Sequence, residues 1–189
     1  LLGREIYQEA PPIPLAVQSV DGTVLFTQAD IETGQGVWQS IGGMEQGSIW
    51  GHGSYLAPDW SADWLHREAE ALKQKLAQQK IPGLTPEQET AIEGAELKKE
   101  MRTNTYDPVA KRIVITGDQA AAFHTLAAYY ANVFGAGRKE YAIPSGALTD
   151  PVKQQKMAAF FWWTSWAAHT QRPGSTVTYT NNWPHEPLV

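Results

Sequence analysis

The sequence contains no cysteine among its 189 residues, and this absence removes several kinds of chemistry. Disulfides, cysteine-ligated zinc, thiol catalysis and thioether-linked haem all need a sulfur that the chain lacks. Long apolar runs are also missing, because the longest, residues 157–168, is shorter than the roughly 20 residues that cross a bilayer. Positive charge is scarce as well, with 15 Lys and Arg against 20 Asp and Glu. A nucleic-acid surface needs clustered cations, so nucleic acid is not expected as a partner.

The residues that are present have the composition of a globular domain, with 42% hydrophobic and 19% charged residues. Familiar catalytic motifs are absent. The segment Gly34-Gln35-Gly36 lacks the third glycine of a dinucleotide-binding loop, and no G-x-x-x-x-G-K, G-x-S-x-G or H-E-x-x-H occurs. The residues themselves therefore point to no reaction that this chain would catalyse.

Two histidines raise the question of a metal site. His52 and His66 lie fourteen residues apart with two aspartates between them, a set that would suit zinc or iron. A metal site needs several convergent ligands, however, and spacing alone does not establish convergence. The acidic pair Glu68 and Glu70 is typical of the acid-rich first half of a helix. We therefore expect ordinary polar positions and no metal.

Turn and capping residues predict a mainly α fold with a minor β component. Asp21-Gly22 between two apolar runs predicts a β-hairpin within residues 15–27. Apolar periodicity and helix caps predict helices at residues 29–41, 60–79, 86–101, 117–135 and 151–169, and a short strand at 111–116. The chain then divides into an extended arm with the hairpin (1–28), a helical domain (29–170) and an extended tail (171–189).

Aromatic side chains crowd the last predicted helix, where Phe160, Phe161, Trp162, Trp163 and Trp166 cover more than one face. Because one helix face cannot bury them all, part of this set is expected in the core. The remainder is expected to form an exposed aromatic patch that contacts a protein or a membrane interface.

Three stretches carry a resemblance: GREIYQEAPPIP at 3–14, GSIWGHGSYLAPDWSADWLHREA at 47–69, and FFWWTSWAAHTQRPG at 160–174 with the tail to 189. Together they resemble the hydrophilic N-terminal region of the quinol-dependent nitric oxide reductases, single-chain membrane enzymes of the haem–copper oxidase superfamily. The resemblance implies a parent enzyme that reduces NO to N2O with quinol electrons. It further implies that b-type haems and non-haem iron lie in the parent's transmembrane helices.

By the same resemblance, this segment is a soluble domain with a cytochrome-c-like fold on the periplasmic, extracytoplasmic face of the bacterial inner membrane. A c-type haem loop reads C-x-x-C-H, and residues 48–52 have that spacing with Ser48 and Gly51 in place of the cysteines and His52 at the axial position. An empty haem volume would cost several kcal/mol, so bulky side chains such as Trp50 are expected to fill it. We expect no cofactor in this chain.

The expected function is a haem-free structural cap on the transmembrane core of the same polypeptide, with the membrane surface nearby and no catalytic residue of its own. Quinol and NO are expected to meet only the parent. The residues expected to contact the membrane core are Trp50, Tyr55, Asp59, Trp60, Asp63, His66, Trp162, Trp163 and Trp166.

Two alternatives remain at this point. The first is an electron-transfer domain that binds b-type haem through His52, with Met101 or another residue as second ligand. The second is a stand-alone periplasmic binding module that stacks its tryptophans on a ligand such as a sugar. The start at Leu1 without a methionine favours a piece of a longer protein. A loop between two membrane helices would place Leu1 and Val189 on one face, about 10–25 Å apart.

Overall fold

The computed structural model describes residues 9–79 and 81–189, and this part of the chain contains five α-helices and two small sheets. The helices are α1 (Gln28–Ser40), α2 (Trp60–Leu76), α3 (Pro86–Arg102), α4 (Gly117–Ala136) and α5 (Pro151–His169). The strands are β1 (Ala16–Ser19), β2 (Val24–Thr27), β3 (Ser48–Ile49), β4 (His52–Gly53), β5 (Tyr106–Asp107) and β6 (Arg112–Ile115). The predicted mainly α fold with a minor β component is confirmed.

The larger sheet joins the start of the chain to its middle, in the strand order β2-β1-β6-β5. Strands β1 and β2 form the predicted antiparallel hairpin, whose turn contains Gly22 at a φ of +89°. Strand β1 also pairs in parallel with β6, which places Val17 opposite Ile113. Both residues are fully buried, so the sheet closes one side of the core.

Side-chain caps begin the helices where the sequence predicts them. Asp59 accepts a hydrogen bond from the Ala62 backbone N–H at the start of α2, and Asp150 caps α5 in the same way. Thr85 and Thr116 form capping boxes at the starts of α3 and α4. These bonds satisfy backbone N–H groups that have no partner within the helix.

Helix α5 is the centre of the domain and contacts all four other helices. Every residue from 157 to 169 is buried. The ring of Trp162 lies 5.3 Å from a ring on β2, that of Trp163 lies 5.5 Å from one in the segment before α2, and that of Trp166 lies 5.4 Å from one in the tail. The expected exposed aromatic patch on this helix is therefore wrong, because a helix that is apolar on all sides is covered on all sides.

Close packing of α1 on α5 depends on one glycine. A β-carbon at Gly34 would collide with the backbone carbonyl oxygen of Lys156, whereas one at Gly36 would meet nothing within 4 Å. Gly34 thus has a packing role, and neither glycine belongs to a phosphate-binding loop.

The core has two parts. The larger surrounds α5 and contains two stacked aromatic pairs, Trp60 with Phe161 and Trp64 with Tyr130, whose ring planes are within 13° and 9° of parallel. The smaller lies between α2 and α3 and is partly covered by the end of the chain. None of the helices in the described part of the chain has the length and apolarity needed to cross a membrane.

The tail does not follow the extended course that its prolines predicted. Residues 173–182 form successive turns, and Gln171 pairs with Thr178 in an isolated bridge. Arg172 donates to the Tyr179 carbonyl and the Asn181 side chain, so polar side chains supply the bonds that the turns require. The predicted closeness of the two chain ends involves Leu1, which lies outside the described residues.

Candidate functional site

The segment 47–60 between α1 and α2, called the SIWGH loop here, is a tight hairpin laid against the body of the domain. Strands β3 and β4 pair Ser48 with Gly53 and Ile49 with His52. At Gly47, with a φ of +120°, a β-carbon would collide with the Trp60 indole. Glycine is needed there because both the backbone conformation and the close approach exclude a side chain.

One carboxylate binds both Ser48 and Gly51, the residues whose spacing matches the cysteines of a c-type haem loop. Asp59 Oδ2 accepts hydrogen bonds from Ser48 Oγ at 2.7 Å and from the Gly51 backbone N–H at 2.8 Å. Its other oxygen, Oδ1, caps α2 through the Ala62 N–H at 3.0 Å. Asp59 therefore ties the SIWGH loop to the start of α2.

Trp50 forms the other attachment, and it is half-buried with a φ of +51°. Its backbone N–H donates to Ser61 Oγ at 3.0 Å, and its indole N–H donates to the Thr164 carbonyl on α5 at 2.8 Å. The Trp50 ring packs on Trp163 at a centroid distance of 5.5 Å. The neighbouring Trp60 is fully buried, and its indole N–H donates to the Gln46 carbonyl at 2.9 Å.

The residues present do not fit a haem. The thioether cysteines are absent, and His52 is exposed on β4. Met101, the other residue considered as a haem ligand, is 1% exposed in the smaller core part between α2 and α3. The fold therefore does not bring these two residues into one site. Within residues 9–79 and 81–189, no group of three or more His, Cys, Asp or Glu side chains is arranged to hold a metal ion.

The residues predicted to contact the membrane core fall into three classes of exposure. The tryptophans of α2 and α5 are fully covered by this chain: Trp60, Trp162, Trp163 and Trp166. The half-buried residues are Trp50, Asp59 and Asp63. Tyr55 and His66 are exposed, and the His66 ring bonds Glu186 of the tail at 3.1 Å. Of the predicted set, Tyr55 offers the most surface to a partner.

Asp63 is occupied by partners within the domain. It accepts a hydrogen bond from the Tyr130 hydroxyl at 2.7 Å and a two-pronged contact from Arg67 at 2.9 and 3.2 Å. The Arg67 guanidinium also lies 4.0 Å above the Tyr129 ring. Burial and the Asp63 carboxylate together raise the pKa of Tyr130 well above its ordinary value, so the phenol stays protonated and donates. Asp63, Arg67 and Tyr130 are thus paired with one another inside the domain.

Glu68 is the polar residue that sequence reasoning misplaced. It is 1% exposed rather than an ordinary polar position, and it accepts a hydrogen bond from the Trp64 indole at 3.0 Å. Burial raises the pKa of Glu68 from 4.5 to about 7. Its position three residues after Leu65 and four before Leu72, on the apolar stripe of α2, is the sequence signal that could have revealed it.

These features define a class of protein: a mainly helical domain with the spacing of a c-type haem loop, whose loop residues serve internal hydrogen bonds. The family model of the cytochrome c-like domain of the nitric oxide reductase NorB matches residues 14–185. The chain belongs to this family. No curated protein matches the chain.

The Asp59 carboxylate should matter more than an ordinary helix cap. We expect Asp59→Ala to lower the free energy of unfolding by about 2–4 kcal/mol, because it removes a cap and two bonds to the SIWGH loop. The matched control Asp150→Ala removes a cap alone and should cost about 1 kcal/mol. Urea unfolding monitored by tryptophan fluorescence measures both. Equal losses would show that the loop bonds contribute no stability.

Burial of Glu68 should make stability fall as pH rises. The folded protein keeps a proton on Glu68 between pH 4.5 and about 7 that the unfolded chain releases, so this contribution is full below pH 4.5 and is lost by about pH 7. One pKa unit corresponds to about 1.4 kcal/mol. As the pH rises from 4.5 to about 7, the free energy of unfolding of Glu68→Gln should therefore increase by roughly 3 kcal/mol relative to that of the unsubstituted protein.

The control for this comparison is Glu70→Gln, the same change at a partly exposed position of the same helix. Burial lowers the pKa of His169 to about 4. Because the unfolded chain binds a proton at this histidine more readily, the free energy of unfolding decreases as the pH falls below 6.5, which is the opposite pH dependence to that of Glu68. That effect is common to all three proteins and cancels in the differences. Parallel pH profiles for Glu68→Gln and Glu70→Gln would contradict the assignment.

Proposed function

We propose that this chain is the outward-facing, haem-free domain of a quinol-dependent nitric oxide reductase and acts as a structural cap on the transmembrane core of the same polypeptide. The parent reduces NO to N2O with quinol electrons, using b-type haems and non-haem iron outside this domain. The domain lies on the periplasmic face of the bacterial inner membrane and contributes no catalytic residue. The observation that carries the proposal is the use of Ser48 and Gly51, the cysteine-equivalent positions, as donors to Asp59.

The haem-free part of the proposal rests on the hydrogen bonds and the ring contact that hold the SIWGH loop against the rest of the domain. A porphyrin at this loop would displace Trp50 from the Thr164 carbonyl and from the Trp163 ring. It would also separate Ser48 and Gly51 from Asp59, which leaves a carboxylate without its donors. Losing hydrogen bonds to a charged group costs about 1.5–3 kcal/mol each. An exposed His52 without cysteines offers little to offset these losses.

The capping role rests on an exposed apolar surface formed by the SIWGH loop and by Met44, which precedes it. Met44, Tyr55 and Leu56, called the apolar patch here, are 56%, 102% and 67% exposed. The Ser54 N–H donates to the Met44 carbonyl at 2.6 Å, which holds the two ends of the patch together. Exposed apolar clusters mark interaction sites.

Residues 9–12 and the start of the tail lie together on one side of the domain. Arg172 at the start of the tail pairs with Glu9 at 3.2 Å. The Trp163 indole donates to the Pro12 carbonyl at 2.9 Å, next to the same region. Residues 9–12 and 172–179 line one groove of about 650 Å³, so these two segments run side by side.

Two observations count against the alternatives. His52 and Met101, the pair named as haem ligands for electron transfer, lie in different parts of the fold, and a second ligand other than Met101 would have to reach His52 on its exposed strand. Sugar stacking needs exposed tryptophan faces. Six of the eight tryptophans are buried in the core, namely Trp38, Trp60, Trp64, Trp162, Trp163 and Trp166.

Expression of the 189-residue chain in a host supplied with ample haem tests the cofactor proposal. We expect no Soret band in the purified protein and no stoichiometric iron by elemental analysis, because the SIWGH loop is held by Asp59 and Trp50. Stoichiometric haem would overturn the proposal. A c-type cytochrome expressed in the same host is the positive control.

Photo-crosslinking in the intact parent enzyme tests the capping role. A photoreactive residue at Tyr55 should crosslink to the transmembrane part, because Tyr55 is the most exposed member of the apolar patch. The matched control is Val109, which is 92% exposed on the turn between β5 and β6 and lies outside that patch. Crosslinks from position 109 alone, or none from position 55, would contradict the proposed contact surface.

A further inference from the structure

A small cavity lies beneath the tail, where it covers α2, α3 and α5. Its volume is about 40 Å³, and its lining includes His169 at the end of α5, Arg102 at the end of α3, and Thr178, Asn182 and Glu186 of the tail. The cavity is mostly polar in its lining, unlike the aromatic core beside it. It therefore differs in chemistry from an ordinary packing void, which is apolar and stays dry.

Two polar atoms of the lining residues are buried and have no hydrogen-bond partner in the described part of the chain: His169 Nε2 and Arg102 Nε. Another nitrogen of each side chain is engaged. His169 Nδ1 lies 2.6 Å from the Met101 carbonyl oxygen, and Arg102 Nη2 donates to Asn182 Oδ1 at 2.9 Å. Leaving a buried polar atom unpaired costs about 1–3 kcal/mol, so two at one cavity call for a partner.

The proton positions on these two groups are determined by their neighbours. A carbonyl oxygen can only accept, so His169 Nδ1 carries the hydrogen that it donates to Met101. Burial lowers the pKa of His169 to about 4, which keeps the ring neutral near pH 7 and leaves a lone pair on Nε2. Arg102 Nε always carries a hydrogen. The two buried atoms that have no partner within the described residues are thus one acceptor and one donor.

We infer that this cavity binds one ordered water molecule that donates to His169 Nε2 and accepts from Arg102 Nε–H. The volume of about 40 Å³ accommodates a water, which needs roughly 10–15 Å³ of such space, and leaves little room for a larger ligand. An anion would face the Nε2 lone pair, and a cation would face the Arg102 guanidinium. A neutral molecule with both a donor and an acceptor satisfies the two groups together.

The water has a structural consequence that does not depend on the proposed function of the domain. Arg102 already bonds Asn182, and the Asn182 side chain accepts from the Thr178 N–H within the tail. A water between Arg102 and His169 extends this chain of bonds from the tail to the end of α5. The tail is then fastened to the central helix through a solvent molecule.

The test is the nuclear Overhauser effect between water and Arg102 Hε in the 189-residue chain, together with the His169 ring ¹⁵N shifts. We expect a cross peak from a bound water to Arg102 Hε and a neutral Nδ1–H tautomer at pH 7. The internal control is Trp38 Nε1–H, which is also buried and unpartnered but lies in the apolar core, and it should show no such peak. Peaks at both positions, no peak at Arg102, or a proton on Nε2 would each overturn the inference.

A variant separates the role of His169 from that of the cavity. His169→Phe keeps a ring but removes the acceptor, so the Arg102 Hε cross peak should be lost. His124→Phe makes the same change at an exposed position of α4 and should leave the peak intact. Persistence of the peak in His169→Phe would show that Nε2 does not hold the water. If His169→Phe does not fold, the measurement on the unsubstituted chain still decides the matter.

Discussion

The rest of this structure depends on the burial of α5 on every side. Residues 157–169 include five large aromatic side chains that point in different directions round the helix, and all of them are covered. Four helices, strand β2, the SIWGH loop and the tail each cover one part of that surface. The other elements of the domain pack around one apolar helix. The short loop and the irregular tail are therefore as necessary to the core as the regular elements.

The SIWGH loop has the spacing of a c-type haem loop and is held by hydrogen bonds within the domain. In a c-type haem loop, two side chains attach the cofactor and a third coordinates it. In this domain the corresponding backbone and hydroxyl groups of Ser48 and Gly51 are donors to Asp59, and Trp50 between them reaches α5. Asp59 also caps α2, so the same carboxylate holds both the SIWGH loop and the first turn of α2 in place.

The polar groups inside this core follow one rule, which is that each is neutral or fully paired. Asp63 is charged and has Arg67 and Tyr130 as partners. Within residues 9–79 and 81–189, Glu68 and His169 have no opposite charge beside them, and burial shifts the pKa of each towards its neutral form. The cost of placing a charge in a medium of low polarity accounts for both shifts. At the tail cavity, His169 Nε2 and Arg102 Nε have no partner within the described residues, and the inferred water supplies one for both.

The sequence by itself determined the first hairpin, strand β6, the five helices and the family, whereas the short strands β3, β4 and β5 were not predicted. Asp21-Gly22, the caps at Asp59, Thr85 and Asp150, and the apolar periodicity place the hairpin and the helices, because these signals act within a few residues along the chain. The resemblance carried by the SIWGH loop and the last helix agrees with the family to which the chain belongs.

Only the tertiary structure decided which residues are inside. Trp162, Trp163 and Trp166 suggested an exposed patch, but burial depends on how many elements surround a helix, and local sequence does not specify that number. The sequence predicted an ordinary polar position for Glu68, which is buried, for the same reason. Beyond the cap of α2, the partners of Asp59, Trp50 and His169 lie between 8 and 114 residues away, so spacing along the chain could not reveal them. Contacts between distant segments exist only once the chain has folded, and they set the environment that each of these side chains meets.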